Sequence, residues 1–265
     1  MGYIIAIAGK GGVGKTTVAA LITRRIVDAR LGSVLVVDAD PNSNLAELLG
    51  GKVKETVGDI IGKIASDPSS VPQGMTKDRF IEYKVQTSLS EDDGFDILTM
   101  GLPEGPGCYC YVNNVLRGVV SKLIADYDYI IIDNEAGLEH LSRRTSRRAD
   151  SFLIVSDSSA VGLKAAYRIN GLIKQLKFEK QHVFLLINRA ARPAQAMLKD
   201  PGVKNILAEG AEYLGGIPYD EDILTLSIKG EEIFKLKKSA ASIKALDKMG
   251  DRLWQKNALK SGQAR

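Results

Sequence analysis

Cysteine is scarce in this chain: two in 265 residues, Cys108 and Cys110, with a single tyrosine between them. A scaffold stapled by disulfides is therefore excluded, and a bridge between such close neighbours would be an unusual structural element in a reducing compartment. Long apolar runs are lacking as well. None approaches the ~20 residues that a membrane-spanning helix requires. Met1-Gly2-Tyr3 carries no charged leader region and runs directly into an apolar strand. A secretory signal is not expected, and the cytoplasm is the expected location. Charge of one sign is not dominant, since the net value is +4. Much of the basic surplus lies in Ser142-Arg143-Arg144-Thr145-Ser146-Arg147-Arg148 and in the lysine-rich C-terminal quarter. A solvated face accounts for both better than a nucleic-acid or lipid site, so neither partner is expected. Internal repeats, coiled-coil heptads and low-complexity tracts are absent too.

What is present is enough apolar material, 45% of the residues, to build a full core. Apolar runs alternate with helical patterns along most of the chain. Tyr3–Ala8, Ser33–Val37, Phe95–Met100, Tyr129–Ile132, Ser151–Val155 and Val183–Ile187 read as strands. They do not alternate apolar with polar, which marks strands buried on both faces. Between them, Thr17–Val27, Val112–Ala125, Leu163–Leu176 and Lys199–Glu209 read as helices. The expected fold is α/β: a doubly wound, mostly parallel sheet flanked by helices, in one domain over residues 1–265. Residues 55–93 read as an insertion between two strands. Residues 240–259 carry Ile243, Leu246, Met249, Leu253 and Ala258 at helical spacing and read as a docking helix.

The densest chemical signal is Gly9-Lys10-Gly11-Gly12-Val13-Gly14-Lys15-Thr16-Thr17. It follows the first strand and opens the first helix, the context a phosphate-binding loop needs. Glycines let the backbone wrap close to phosphates, and the amides with the helix N-terminus supply a positive field. Lys15 is placed to reach the β- and γ-phosphates of ATP, or the β-phosphate of ADP, and Thr16 to put its hydroxyl on Mg²⁺. Lys10 is the unusual residue, because an ordinary loop of this kind needs no cation there.

Strand two ends in Asp38-Ala39-Asp40-Pro41-Asn42, and ligands of open α/β sheets sit beyond the carboxyl ends of strands. Asp133 ends the strand Ile130-Ile131-Ile132, where a carboxylate holds Mg²⁺ through water. Asp133-Asn134-Glu135-Ala136-Gly137 reads as a switch whose glycine lets it change shape when the γ-phosphate is lost.

This loop resembles the deviant Walker A motif of the dimeric ATPases that include septum-site, plasmid-partitioning, nitrogenase iron-protein and metallocentre-maturation members. The resemblance implies a nucleotide-dependent homodimer in which Lys10 crosses to the partner's nucleotide. There it acts like an arginine finger, a device worth roughly 10³–10⁵ in rate. It further implies that Asp40 orients the attacking water and that Asp38 holds a water on Mg²⁺. Asn188, directly after the strand 183–187, fits the superfamily's adenine-reading position. Ile217-Pro218-Tyr219-Asp220-Glu221-Asp222 resembles its adenine-flanking loop, with Pro218 and Asp220 as contacts. Asparagine after a strand is also common in any turn.

Cys108 and Cys110 lie in Gly105-Pro106-Gly107-Cys108-Tyr109-Cys110-Tyr111. Two thiols one residue apart can approach one metal, but about four ligands are needed. A two-fold dimer doubles the count to four sulfurs on the axis, a site that exists only while the dimer is closed. Softness favours Zn²⁺, Ni²⁺ or Cu(I). Two small buried apolar residues would be the alternative use of the pair. The stretch 102–117 around the cysteines, the switch 133–145 and the segment 37–45 together resemble the nickel-insertion ATPases that mature carbon monoxide dehydrogenase. That family implies Ni²⁺ on Cys108 and Cys110, with Zn²⁺ able to occupy the same site, and delivery to a nickel-requiring client. A sister group serves acetyl-CoA synthase with nearly the same motifs, which leaves the client open.

Two other classes compete. An ATP-driven reductase like the nitrogenase iron protein would use four cysteines for a [4Fe–4S] cluster, but needs one in the switch after Asp133, where there is none. A membrane- or nucleoid-positioning ATPase would need a lipid-seeking tail or a basic face. Lys244, Lys248, Arg252, Trp254 and Lys256 supply cations, yet Asp247 and Asp251 interrupt them. His140 reads first as a helix-capping or packing residue, with metal transfer as the other use. Arg143 and Arg144 stay open between a client surface and pairing with acidic neighbours.

Overall fold

The computed structural model of the chain describes residues 2–40, 44–101, 118, 121–135, 149–176 and 182–261. Eight strands form one sheet: β1 (Tyr3–Gly9), β2 (Val34–Asp38), β3 (Ser90–Asp92), β4 (Phe95–Thr99), β5 (Tyr129–Asp133), β6 (Ser151–Ser156), β7 (His182–Ala190) and β8 (Glu212–Pro218). Their spatial order is β3-β4-β2-β5-β1-β6-β7-β8. Only β3, at the edge, runs antiparallel to its neighbour. The carboxyl ends of the other seven therefore meet at one border of the sheet, and β1 delivers its loop to the middle of that border. The expected doubly wound sheet is the observed one.

Helices cover both faces. On one lie α3 (Val57–Ser66), α4 (Lys77–Ser88), α5 (Ala160–Gln175) and α7 (Pro201–Ala208), after a short α6 (Ala194–Met197). On the other lie α1 (Lys15–Asp28), α2 (Asn44–Leu49), α8 (Glu221–Lys229) and α9 (Ala241–Ser261). Alternation along β1 divides the core: Ile4, Ala6 and Ala8 join the first cluster, Tyr3, Ile5 and Ile7 the second. The strands lack a polar face because neither side meets water.

Several boundaries differ from the sequence reading. The second strand runs to Asp38, because Asp38 stays in register with both Thr99 and Asp133. The first helix starts at Lys15. The eighth strand has no apolar run to announce it, since Gly215 and Gly216 interrupt it and its register shifts against β7. Residues 55–93 hold two amphipathic helices and the edge strand. Ile60, Ile61 and Ile64 of α3 and Phe80, Ile81 and Val85 of α4 are buried in the same cluster as Leu98 and Ile130 of the sheet. Thr56 starts α3 with a capping box, its hydroxyl accepting from Asp59 N at 3.0 Å while Asp59 accepts from Thr56 N at 2.9 Å. In α9, Ile243, Leu246, Met249 and Leu253 are buried against β8 and α1.

Candidate functional site

Gly9 ends β1 and the loop turns through Gly12 (φ 78°) and Gly14 (φ 88°), both left-handed. Gly14 is the N-cap of α1 and offers no side-chain oxygen to its amides; the first turn holds no acidic residue. Those amides are left for an anion. Val13 is 1% exposed and pins the loop into the core, while Lys10 is exposed at its tip. The buried Lys15 side chain folds back over the loop, with Nζ 3.5 Å from the Lys10 carbonyl. Thr16 and Thr17 sit half-buried in the first turn. Gly11 is exposed beside Gly12.

Sheet order places the acids. β5 lies between β2 and β1, with Asp133 in register with Asp38 on one side and Ile7 on the other. Asp133 is 1% exposed, and no backbone amide holds its carboxylate oxygens. Burial, with Asp38 and Asp40 adding to it, pushes its pKa up to about 7, although the neighbouring Thr16 hydroxyl and Lys15 oppose the shift. Asp38 is fully buried. Its Oδ1 accepts from Asp40 N at 3.2 Å and its Oδ2 from Leu45 N at 3.0 Å. Burial raises it to about 6 against the pull of those two amides, and the Asp40 charge adds to the rise. Asp38 thus ties the chain leaving β2 to the start of α2, in addition to standing beside Asp133. Asp40 is half-buried at the turn.

A buried carboxylate that no backbone amide holds, beside a second acid and a threonine hydroxyl, is a hard oxygen donor set that fits Mg²⁺. Among the described residues no group of three or more His, Cys, Asp or Glu could hold a metal alone.

At the other side of the loop stand residues from β7 and β8. Asn188 is 7% exposed, and its Nδ2 donates to the Val13 carbonyl at 2.8 Å. A side chain at Gly14 would collide with that amide, so glycine is required there twice over. Ala190 pairs with Pro218, which brings the two segments expected at the adenine to neighbouring strands. The Asp220 carboxylate is committed elsewhere. Oδ1 accepts from Asp222 N at 3.1 Å, and Oδ2 from Ser242 N at 2.9 Å and Ser242 Oγ at 2.6 Å.

Residues 4–233 match the family described as the CobQ/CobB/MinD/ParA nucleotide binding domain. The chain belongs to this family. An uncharacterised ATP-binding protein of Methanocaldococcus jannaschii is 38% identical over 255 residues, covering 96% of this chain and 99% of the relative. The carbon monoxide dehydrogenase accessory protein CooC of Rhodospirillum rubrum is 28% identical over 250 residues, covering 88% of this chain and 89% of its own. Among solved structures, the septum site-determining protein MinD of Pyrococcus horikoshii, complexed with Mg-ADP, superposes with a TM-score of 0.70. It is 21% identical, and the match covers 98% of this chain and 99% of that one. The likeness speaks for the fold. This P-loop ATPase also has, among its described residues, no helix long and apolar enough to cross a membrane.

Cys108, Cys110, Gly137, His140, Arg143 and Arg144 lie outside the described residues, as do Pro41 and Asn42. The roles of two site residues escaped the sequence reading, which named Asn134 only as part of the switch. Asn134 is 2% exposed and donates Nδ2 to the Ile7 carbonyl at 2.8 Å, fixing the start of the switch to β1. Its only signal was a polar residue directly after Asp133. Arg189 donates Nη2 to the Gly12 carbonyl at 2.5 Å, a contact across 177 positions that no local pattern announces.

Proposed function

We propose that this ATPase is a metallocentre maturation factor. Two subunits take Ni²⁺ on Cys108 and Cys110 and deliver it to a nickel-requiring enzyme, carbon monoxide dehydrogenase or acetyl-CoA synthase. The observation that carries this reading is the pairing, in one chain, of the Cys-x-Cys segment with a phosphate loop bearing the early Lys10. The match to CooC along 88% of the chain supports it. So does the origin of the cysteine segment. The chain that leads to it passes Met100, directly after β4, whose amide donates to the Asp38 carbonyl at 2.9 Å, next to the carboxylate border of the nucleotide site.

In this reading the amides of residues 9–17 cradle the phosphates and Lys15 neutralises their charge. Asn188 and Pro218 stand at the adenine end, with Asp220, its carboxylate bound to Ser242, shaping the loop after Pro218. Thr16, Asp38 and Asp133 hold Mg²⁺, which when bound neutralises charge on the β- and γ-oxygens. Asp40 aligns the attacking water, and Lys10 crosses to the other subunit's nucleotide. Closing the dimer brings four thiolates together, so nucleotide and metal affinities are linked. Hydrolysis reopens the dimer and releases the metal to the client.

The test is metal stoichiometry of anaerobically purified apo-protein titrated with Ni²⁺, with iron and sulfide assayed in the same sample. One Ni²⁺ per two chains, lost in the Cys108→Ser/Cys110→Ser variant while ATP still binds, is the expected result. Four irons with sulfide per dimer would make the protein a reductase component. Cysteine-independent metal binding would remove the cysteines from the mechanism and favour a positioning ATPase.

A further inference from the structure

Asn188 and Arg189 end the straight part of β7 and both reach the phosphate loop through its carbonyls. Asn188 Nδ2 donates to Val13 O at 2.8 Å and Arg189 Nη2 to Gly12 O at 2.5 Å. These two carbonyls belong to consecutive peptide units. In a trans peptide the C=O and the N–H of one unit point in opposite directions. Holding the Gly12 and Val13 carbonyls toward β7 therefore turns the Val13 and Gly14 amides the other way, into the concave side of the loop. The glycine dihedrals at 12 and 14 permit that alternation, but the loop's own sequence does not select it from the other conformations glycine allows.

The clamp is held at a cost that points to the side chain. Arg189 has φ 50°, left-handed for a residue that is not glycine. That conformation is strained for any residue with a side chain. Glycine would remove the strain but has no guanidinium. The backbone is kept there because Asn188 Oδ1 accepts from Arg189 N at 3.0 Å, where the β7–β8 register is irregular between Ile187 and Ala190. Asp157, at the end of β6, feels the charges of both Arg189 and Lys10, so the guanidinium has an anionic neighbour on the same border. A cation on a carbonyl also polarises its peptide, which strengthens the N–H at the opposite end of that unit as a donor.

We infer that Arg189, with Asn188, is a positioning residue for nucleotide binding: it sets and polarises the Val13 and Gly14 amides of the phosphate loop from behind. This rests on the nucleotide-binding part of the reading above and is independent of the metal. The interaction is made equally with substrate and product phosphates. Its loss therefore weakens binding and leaves the hydrolytic step largely untouched.

The experiment is calorimetric titration of the full chain with Mg²⁺·ADP, with ATPase kinetics alongside, for wild type, Arg189→Gly, Arg189→Lys and Lys15→Ala. Arg189→Gly relieves the strain, so it is expected to melt no lower than wild type. It is nevertheless expected to bind ADP roughly tenfold more weakly, the effect of about one charged hydrogen bond. Its KM for ATP should rise by a similar factor with kcat within about twofold. Arg189→Lys, which keeps the charge, should recover part of the affinity. Unchanged ADP affinity in Arg189→Gly, with binding lost in Lys15→Ala, would overturn the clamp and leave nucleotide binding standing. Equal affinity in every variant, Lys15→Ala included, would overturn both.

Discussion

Asp133 works against its own fold. It is a carboxylate 1% exposed, raised to about 7 by burial and by two neighbouring acids against the pull of the Thr16 hydroxyl and Lys15. Strain of this kind is held where function needs it. Replacing Asp133 by Asn removes the buried charge and keeps the shape. The nucleotide-free variant is expected to gain about 1 kcal/mol, or about 2–4 °C in melting temperature for a chain of this size. It should lose the extra stabilisation that Mg²⁺·nucleotide gives the wild type. Thermal melts with and without ligand check both halves; a variant that melts lower without ligand would show that Asp133 has partners in the fold. Asp133 was legible in the sequence because an acid closing a run of isoleucines has few other uses. Asp38 was legible as an acid, but its bonds to the amides of 40 and 45 were not, since they depend on where the chain turns after β2.

Asp220 belongs to the scale of elements. It caps α8 and also grips Ser242, in the first turn of α9, by both backbone and hydroxyl. One carboxylate thus sets two helices against the far edge of the sheet. Asp220→Ala should cost about 2 kcal/mol, the upper range for a lost cap. The pH dependence follows from the pKa. Burial alone would raise it, but the hydrogen bonds from Ser242 and from the amides of Asp222 and Ile223 prevail and hold it below its ordinary 3.8. A folded pKa below the unfolded one means stability that is present above the unfolded value and lost as pH falls through the folded value. The melting-temperature gap between wild type and Asp220→Ala should therefore narrow below about pH 4. A gap constant from pH 7 to 3 would assign the loss to packing instead. The sequence reading put Asp220 at the adenine because the segment Ile217-Pro218-Tyr219-Asp220-Glu221-Asp222 resembles an adenine-flanking loop; the bond to Ser242, 22 positions away, was not legible there.

In the proposed dimer the whole molecule turns on Lys10, exposed at the tip of a loop otherwise anchored by Val13. Lys10→Ala is expected to abolish ATP-dependent dimerisation and to lower hydrolysis by about 10³ or more, as loss of a finger supplied in trans does. ADP binding should stay within about threefold, because the phosphate amides and Lys15 remain. Analytical ultracentrifugation with a non-hydrolysable ATP analogue, and turnover assays, decide it; normal turnover would break the inter-subunit assignment. The same scale explains why residues 55–93 read only as an insertion between two strands. Their helices are recognisable only by the faces they bury, and those faces depend on the sheet they cover.

The sequence by itself determined the phosphate loop, the acids at strand ends and the alternation of strands and helices. Each of these is written in neighbouring residues: glycine spacing, an acid closing an apolar run, the period of buried positions. Tertiary structure decided the strand order that sets Asp38 beside Asp133, the glycine-broken eighth strand, and the grip of Asn188 and Arg189 on the loop. Those contacts join residues up to 177 positions apart. They arise from which strands lie side by side, information that no local pattern of side chains carries.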